Sequence, residues 1–433
     1  MQAWGLVAVA IVVLAFAAVS GRLVSTPITA AMFFVGGGLL IGTAGLDLLD
    51  VGRTSDKLEL LAEATLAVVL FADAFRIDLY RLRQEYTVPL RLLGVGLPLT
   101  IVAGVLVGVP LLGLDWTTAL ILAVALAPTD AALGQAVVTD ERLPSRIRQG
   151  LNVESGLNDG ICVPLLYIAI ALTQTEAEIK GATDALALVA AQIGFGLVGG
   201  VASALAVAFV LARLAPRGSV APGWLRVVPL AGAVLAYTTA AALGGSGFIA
   251  AFAGGMLAGG LTRRTLRENV DDARQEETLG LLEEVGGVLD GLTFIVFGAA
   301  ILGAGLGEFG KDELVFGLLC LTLVRMLPVA LAMLGTGARL PTVAFLGWFG
   351  PRGLASIVFG VIILDEAEIP EVALILNTIA ATVGLSVVLH GLSAVPLVGR
   401  YLRWFEAHPK ETPMEQVPAR EIRVRRHAAW FRS

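Results

Sequence analysis

Two stretches of this chain place oxygen-bearing side chains inside apolar surroundings, at spacings that suit the capture of a small cation. In APTDAALGQ, Pro128 lacks a backbone N–H and its ring crowds the carbonyl of Val124. A helix through residues 118–138 must therefore open just before Thr129 and Asp130. In ESGLNDG, Glu154, Ser155, Asn158 and Asp159 recur at spacings of three and four, so all four lie on one face of a helix over residues 150–171. Free carbonyls at a helix break, set beside an oxygen-rich face, form an arrangement that strips and holds a hard cation.

The surroundings of those stretches are membrane-like. Hydrophobic residues make up 57% of the 433, charged residues only 15%, and mean hydropathy is +0.84, which marks a polytopic membrane protein. Taking about 20 apolar residues as enough to cross ~30 Å of hydrocarbon, thirteen segments can be drawn. They lie near 3–20, 27–46, 58–74, 88–112, 118–138, 150–172, 184–212, 224–242, 246–261, 280–304, 313–334, 341–364 and 372–398. Loops after odd-numbered segments hold sixteen arginines, Arg76, Arg142, Arg146, Arg148 and Arg263 among them. Loops after even-numbered segments hold four basic residues, Arg53, Lys57, Lys180 and Lys311. The odd loops are therefore expected to be cytoplasmic, with the N-terminus outside and the C-terminus inside. Residues 1–400 read as the transmembrane domain and 401–433 as a polar, basic cytoplasmic tail, which would serve as a regulatory arm, an anchor on anionic lipid or a disordered extension. Cys162 and Cys320 lie in apolar segments without metal-ligand spacing. No phosphate-binding loop is present, which excludes a pump driven directly by ATP.

Segment 7 has no acid and reads as a linker, which makes segments 1–6 and 8–13 repeats of opposite topology. Segment 5 then corresponds to segment 12, where Pro351 stands between Gly350 and Gly353 as Pro128 stands in segment 5. Two broken helices in matching halves point to a transport site at the membrane midplane. Arg325 and Arg352 lie far from segment ends, where an arginine costs about 2.5–3.5 kcal/mol on insertion scales, so each requires an acidic partner. Glu154 is the expected partner of Arg352, and Asp290 or Glu284 that of Arg325. Asp73 stands near the cytoplasmic end of segment 3. Gly36, Gly37 and Gly38 would let a neighbouring backbone approach closely. His390 is expected to be a packed, satisfied residue.

APTDAALGQ, ESGLNDG, LFADAF and GWFGPRGLAS resemble, across segments 3 to 13 and in the expected order, four signature regions of the NhaP branch of the monovalent cation:proton antiporters, relatives of the eukaryotic sodium/proton exchangers. The resemblance implies an all-α homodimer of thirteen-helix protomers, with a mobile six-helix core in which helices 5 and 12 cross and are partly unwound. It implies a cation site made of the Asp130 side chain, the Thr129 carbonyl, the Ser155 hydroxyl and the Asp159 carboxylate. Asn158–Asp159 would be the family's Asn–Asp pair, and Glu154 and Arg352 its structural bridge. Two departures stand out: Ala131 where relatives often have proline, and Asp73 where many have glutamate.

The implied activity is secondary exchange of Na⁺, with Li⁺ and K⁺ as further candidates, for H⁺ across an inner or plasma membrane. The chain would then be a transporter and not an enzyme, without a cofactor. Its partners would be monovalent cations, protons, the bilayer and a second copy, and no nucleic acid. One titrating carboxylate, Asp159, that carries either ion makes the exchange obligatory and electroneutral, because Asn158 does not titrate. One alternative keeps the site as a proton-uncoupled cation channel or uniporter. Another is an intramembrane aspartic protease in which Asp130 and Asp159 share a proton, although Asp159 follows Leu157 and Asn158 instead of a GxG.

Overall fold

The computed structural model describes residues 3–23, 26–49, 56–77, 87–130, 133–176, 182–266, 272–367, 369–408 and 413–416. Among them the main elements are the helices α1 (Ala3–Leu23), α2 (Ala30–Ile41), α3 (Asp56–Arg76), α4 (Thr87–Leu112), α5 (Trp116–Ala125), α6 (Gln135–Val138), α7 (Ser145–Glu176) and α8 (Ala182–Phe209). They continue with α9 (Val227–Ala242), α10 (Gly247–Leu266), α11 (Asp272–Val296), α12 (Lys311–Ala332), α13 (Leu340–Trp348), α14 (Leu354–Glu366), α15 (Val372–Ala407) and α16 (Pro413–Gln416). Each of the thirteen expected segments carries helix, and segments 5 and 12 carry pairs, α5 with α6 and α13 with α14, on either side of a break. Among the described residues, eight helices are by themselves long and apolar enough to cross a membrane: α1, α4, α7, α8, α9, α11, α12 and α15. Segments 5 and 12 fall short because they are broken, α2 because it is short, and α3 because it carries Glu59, Glu63, Asp73 and Arg76.

The helices pack as two bundles joined by α8. One bundle holds α1, α2, α3, α9, α10 and α11, and the other holds α4 to α7 and α12 to α15. Packing partners repeat when segments 1–6 are exchanged with 8–13. α1 lies on α2 as α9 lies on α10, and α2 lies on α11 as α10 lies on α3. Likewise α4 packs on α5 as α12 packs on α13, and segment 5 on α7 as segment 12 on α15. This exchange is the signature of the inverted repeat. The approach of α2 to α11 is backbone to backbone: a Cβ on Gly38 would overlap the Ile295 carbonyl, and one on Gly298 the Val35 carbonyl. Of the three glycines expected to allow such contact, Gly38 does so, Gly37 meets the Val12 side chain, and Gly36 faces open space.

Segment 5 starts sharply. Gly113, at φ 68°, ends α4 in the left-handed region that suits glycine, and the Asp115 carboxylate accepts the Thr117 and Thr118 N–H groups at 2.8 and 2.9 Å to cap α5. Cys162 and Cys320 are free and buried.

α15 runs without interruption through residue 400, past the expected edge of the transmembrane domain, and α16 folds back against α7 of the second bundle. Glu415 is 2% exposed; its Oε1 accepts the Arg339 N–H at 3.1 Å and the Thr342 hydroxyl at 2.7 Å, which caps the start of α13. The Arg146 guanidinium donates to the Met414 carbonyl at 3.3 Å, and the Met414 side chain joins an apolar cluster with Val137, Val138, Leu151, Phe345 and Phe349. This part of the tail is therefore a built contact; residues 417–433 lie outside the described residues. Glu415→Ala should remove the acceptor shared by the half-buried Arg339 N–H and the buried Thr342 hydroxyl, and cost about 1–3 kcal/mol. The expected readout is a thermal midpoint in detergent lowered by a few degrees, with the exposed neighbour Glu406→Ala unchanged.

Candidate functional site

The two breaks meet and complete each other. α5 ends at Ala125 and the chain runs non-helical through Pro128 to Asp130; α13 ends at Trp348 and α14 begins at Leu354. The Asp130 N–H donates to the Pro351 carbonyl at 2.8 Å, and Asp130 Oδ2 accepts the Leu354 N–H at 2.9 Å. Asp130 thus caps the N-terminus of α14, where a carboxylate also meets the positive end of the helix dipole. The Arg352 guanidinium does the converse, donating to the Pro128 carbonyl at 3.2 Å and the Gly350 carbonyl at 3.3 Å, close to the C-terminal ends of α5 and α13. Gly353 leaves room for this: a Cβ there would overlap the Asp130 carboxylate.

α7 lies across the first break. Ser155 Oγ donates to the Thr129 carbonyl at 2.6 Å, and Asn158 Nδ2 donates to Thr129 Oγ1 at 2.7 Å. Thr129, Ser155, Asn158 and Asp159 are buried. A cavity of about 10 Å³, close to the size of one water, is lined by Thr129, Asp130, Gly134, Ser155, Pro351 and apolar neighbours. Three of the four expected ligands, Thr129, Asp130 and Ser155, therefore meet around one small space. Asp159 lies one turn beyond Ser155 and does not line it. Among the described residues no three His, Cys, Asp or Glu side chains gather as a metal site. A cation here would take its oxygens from backbone carbonyl and hydroxyl as much as from carboxylate.

The buried charges pair differently from the expectation. Glu154 does not bridge to Arg352. Arg325 donates to both Glu154 oxygens, at 2.5 and 2.8 Å, with both side chains 2% exposed. The reason is steric and local. α12 is interrupted at Thr322 (φ −111°, ψ −92°), just ahead of Arg325, and Gly350 leaves space where a Cβ would strike the Arg325 guanidinium. Arg352 is meanwhile committed to the carbonyls of the breaks. The acids proposed for Arg325 are placed elsewhere: Glu284 bonds Arg226 at 3.3 Å, and Asp290 lines a cavity between α1, α2 and α11 together with Gln135.

Residues 7–400 match the family described as the transmembrane sodium/hydrogen exchangers. The chain belongs to that family. Curated relatives include the K⁺/H⁺ antiporter NhaP2 of Shewanella oneidensis, 25% identical over 367 residues that cover 82% of this chain and 60% of that protein. A Na⁺/H⁺ antiporter of Saccharomyces cerevisiae is 29% identical over 142 residues, 31% of this chain and 14% of its own. The chain thus spans about 60% of the length of the Shewanella relatives. Among solved structures, the sodium proton antiporter MjNhaP1 of Methanocaldococcus jannaschii shares the fold in two determinations. The first, at pH 8, has a TM-score of 0.67 at 20% identity and covers 90% of this chain and all of that one. The second, from electron microscopy, has a TM-score of 0.69 at 18% identity and covers 92% and 97%.

Within this exchanger fold, Asp73 is half-buried and packs its Cβ toward Gly156 of α7, where a Cβ would sit 3.6 Å away, between Ser155 and Asp159 in sequence. Ala131 lies outside the described residues. Sequence reasoning missed Ser386, whose Oγ accepts the Arg352 N–H at 2.7 Å from a segment 34 residues away, and it noted Gly353 only as a flank of Pro351, not as the space beside the Asp130 carboxylate. Removing one member of the buried bridge, by Glu154→Gln or Arg325→Gln, should destabilise the protein by about 3–5 kcal/mol, because the survivor is a buried unpaired charge. A double-mutant cycle by denaturant unfolding in detergent should give a coupling of about 1–3 kcal/mol for Glu154 with Arg325, and under ~0.5 kcal/mol for Glu154 with Arg352. The reverse ranking would contradict the pairing.

Proposed function

We propose that this chain is a secondary antiporter that exchanges a monovalent cation, Na⁺ in the first instance, for H⁺ across the cell membrane. The observation that carries the reading is the crossing itself: two helix breaks charge-compensated by Asp130 and Arg352, beside a water-sized cavity lined by carbonyl, hydroxyl and carboxylate oxygens. The family match and the inverted packing of the two halves support it.

In this reading the bond from Ser155 to the Thr129 carbonyl is the resting state. A cation entering the cavity displaces it: the hydroxyl turns its proton away and both oxygens face the ion. Asp130 contributes its carboxylate while holding the start of α14, and Asp159, outside the cavity lining in this state, joins the cation's shell when the site loads and is the shared carrier, ionised when the cation is bound and protonated when it is not. Competition of two ions for one carboxylate couples the fluxes, provided the empty charged site does not cross. Asn158 is occupied in bonding Thr129 and supplies no second titrating group. The exchange is therefore one-for-one and electroneutral. Asp73 is the reserve acid on α3. The basic loops give the orientation, N-terminus outside and C-terminus inside, and the working unit is a homodimer in an inner or plasma membrane.

The proposed choice of Na⁺ over K⁺ is to be read from ΔpH-driven flux in proteoliposomes with Na⁺, Li⁺ and K⁺ compared side by side. Asp159→Asn and Asp130→Asn should each abolish coupled exchange by well-folded protein, and robust Na⁺/H⁺ exchange in either would remove that residue from the site. Electroneutrality predicts that the null point, where opposing ion gradients stop flux, stays put when membrane potential is clamped. A net charge moved per cycle would shift it by ~2.3 kcal/mol per 100 mV.

A further inference from the structure

His390 lies in α15 and is 1% exposed. Its ring stacks on the Trp348 indole, with centroids 5.0 Å apart and planes at 30°, and Trp348 is the last residue of α13 before the second break. His390 Nε2 stands 2.9 Å from the Trp348 carbonyl, and Nδ1 stands 3.2 Å from Ser386 Oγ and 3.1 Å from the Ser386 carbonyl. Ser386 Oγ in turn accepts the Arg352 N–H at 2.7 Å.

The direction of each proton follows from what the partners can do. The Trp348 carbonyl only accepts, so Nε2 carries the hydrogen. Ser386 Oγ receives the Arg352 N–H, so its own hydroxyl hydrogen is available to the lone pair on Nδ1. The neutral Nε2–H tautomer therefore serves the Trp348 carbonyl and the Ser386 hydroxyl together, while the Ser386 carbonyl, 3.1 Å from the unprotonated Nδ1, is left to the backbone of α15. The segment held between these two anchors is Phe349–Gly350–Pro351–Arg352. It contains the carbonyl that receives the Asp130 N–H and the guanidinium that reaches Pro128. One imidazole thus grips the chain before the break directly and after it through a serine, and what it grips sets where Asp130 stands.

We infer that His390 is a positioning residue for the ion site: through Trp348 and Ser386 it fixes the second break, and through that break the Asp130 carboxylate of the first. The inference rests on the reading of the crossing as the transport site. A packed apolar side chain of similar size would fill the space equally well, but it would leave the Trp348 carbonyl and the Ser386–Arg352 link without their tie, and the break would be free to shift.

The test compares His390→Leu, which removes both bonds at similar volume, and His390→Gln, which keeps a donor within reach of Trp348, with Ser386→Ala, which removes the serine between His390 Nδ1 and the Arg352 N–H and leaves the bond to Trp348 in place. Each is measured in proteoliposomes for Na⁺ and for K⁺, and by amide hydrogen exchange of the purified protein. Expected for His390→Leu and Ser386→Ala is a cation KM raised about tenfold or more, with protection lost in peptides spanning residues 345–356 and also 126–130. His390→Gln should restore much of both. A merely structural role would lower the amount of active protein at unchanged KM, with residues 126–130 still protected, and would overturn the inference. If His390→Leu does not fold, Ser386→Ala and His390→Gln decide alone. Asp130→Asn measured in parallel separates the two failures. If it is inactive while His390→Leu and Ser386→Ala keep wild-type KM, only the positioning role falls. If it transports normally, the site reading falls and takes the positioning role with it.

Discussion

A break in a membrane helix strands carbonyls on one side and N–H groups on the other, and in hydrocarbon each unsatisfied group costs several kcal/mol. In this protein two breaks are set against each other, so that one supplies what the other lacks. The Asp130 amide goes to Pro351, the Asp130 carboxylate to the start of α14, and the Arg352 guanidinium to Pro128. The ends that remain are held from α7 by Ser155 and Asn158, and from α15 by Ser386. The small cavity is what is left at the centre once these bonds are made. Displacing any of the partners moves the cavity, because its walls are the broken ends themselves.

Much of this was legible in the chain. Proline within an apolar run announces a break, and two such runs at equivalent places announce a pair. The face carrying Ser155, Asn158 and Asp159 follows from helical periodicity, and the need of each buried arginine for compensation follows from the energetics of the bilayer. Which arginine takes Glu154 was not legible. Arg325 and Arg352 present the same chemistry to a reader of sequence, and the choice between them is made by the interruption at Thr322 and by the space above Gly350, which are properties of the packed structure. Arg352 also shows that a buried cation can be set against two helix-end carbonyls rather than a carboxylate, a possibility that pairing by charge alone overlooks. Asp130 was legible as important and not as a cap, because its partner Leu354 is 224 residues away.

The two bundles differ in how their helices touch. In the first, α2 meets α11 through glycine and alanine with backbones nearly in contact, the kind of interface that holds by close packing alone when lipid offers no hydrophobic drive. In the second, the contacts that matter are polar, and they converge on the breaks. There α16 adds a buried carboxylate to the start of α13, so that the half-helix leading to Trp348 is capped at its beginning by Glu415 and tied at its end by His390.

The bridge between Glu154 and Arg325 also bears on how the protein is made. Its members lie 171 residues apart. At roughly 5–20 residues per second, on the order of ten to thirty seconds pass between synthesis of the first and arrival of the second. For that interval the growing chain holds Glu154 without its final partner, and the stitches between the breaks wait longer still. The N-terminal half therefore remains an open assembly until the last helices enter. A chain that stalled before α12 would present the cell with a polar defect in the bilayer, the kind of mark by which quality-control proteases tell an unfinished membrane protein from a finished one.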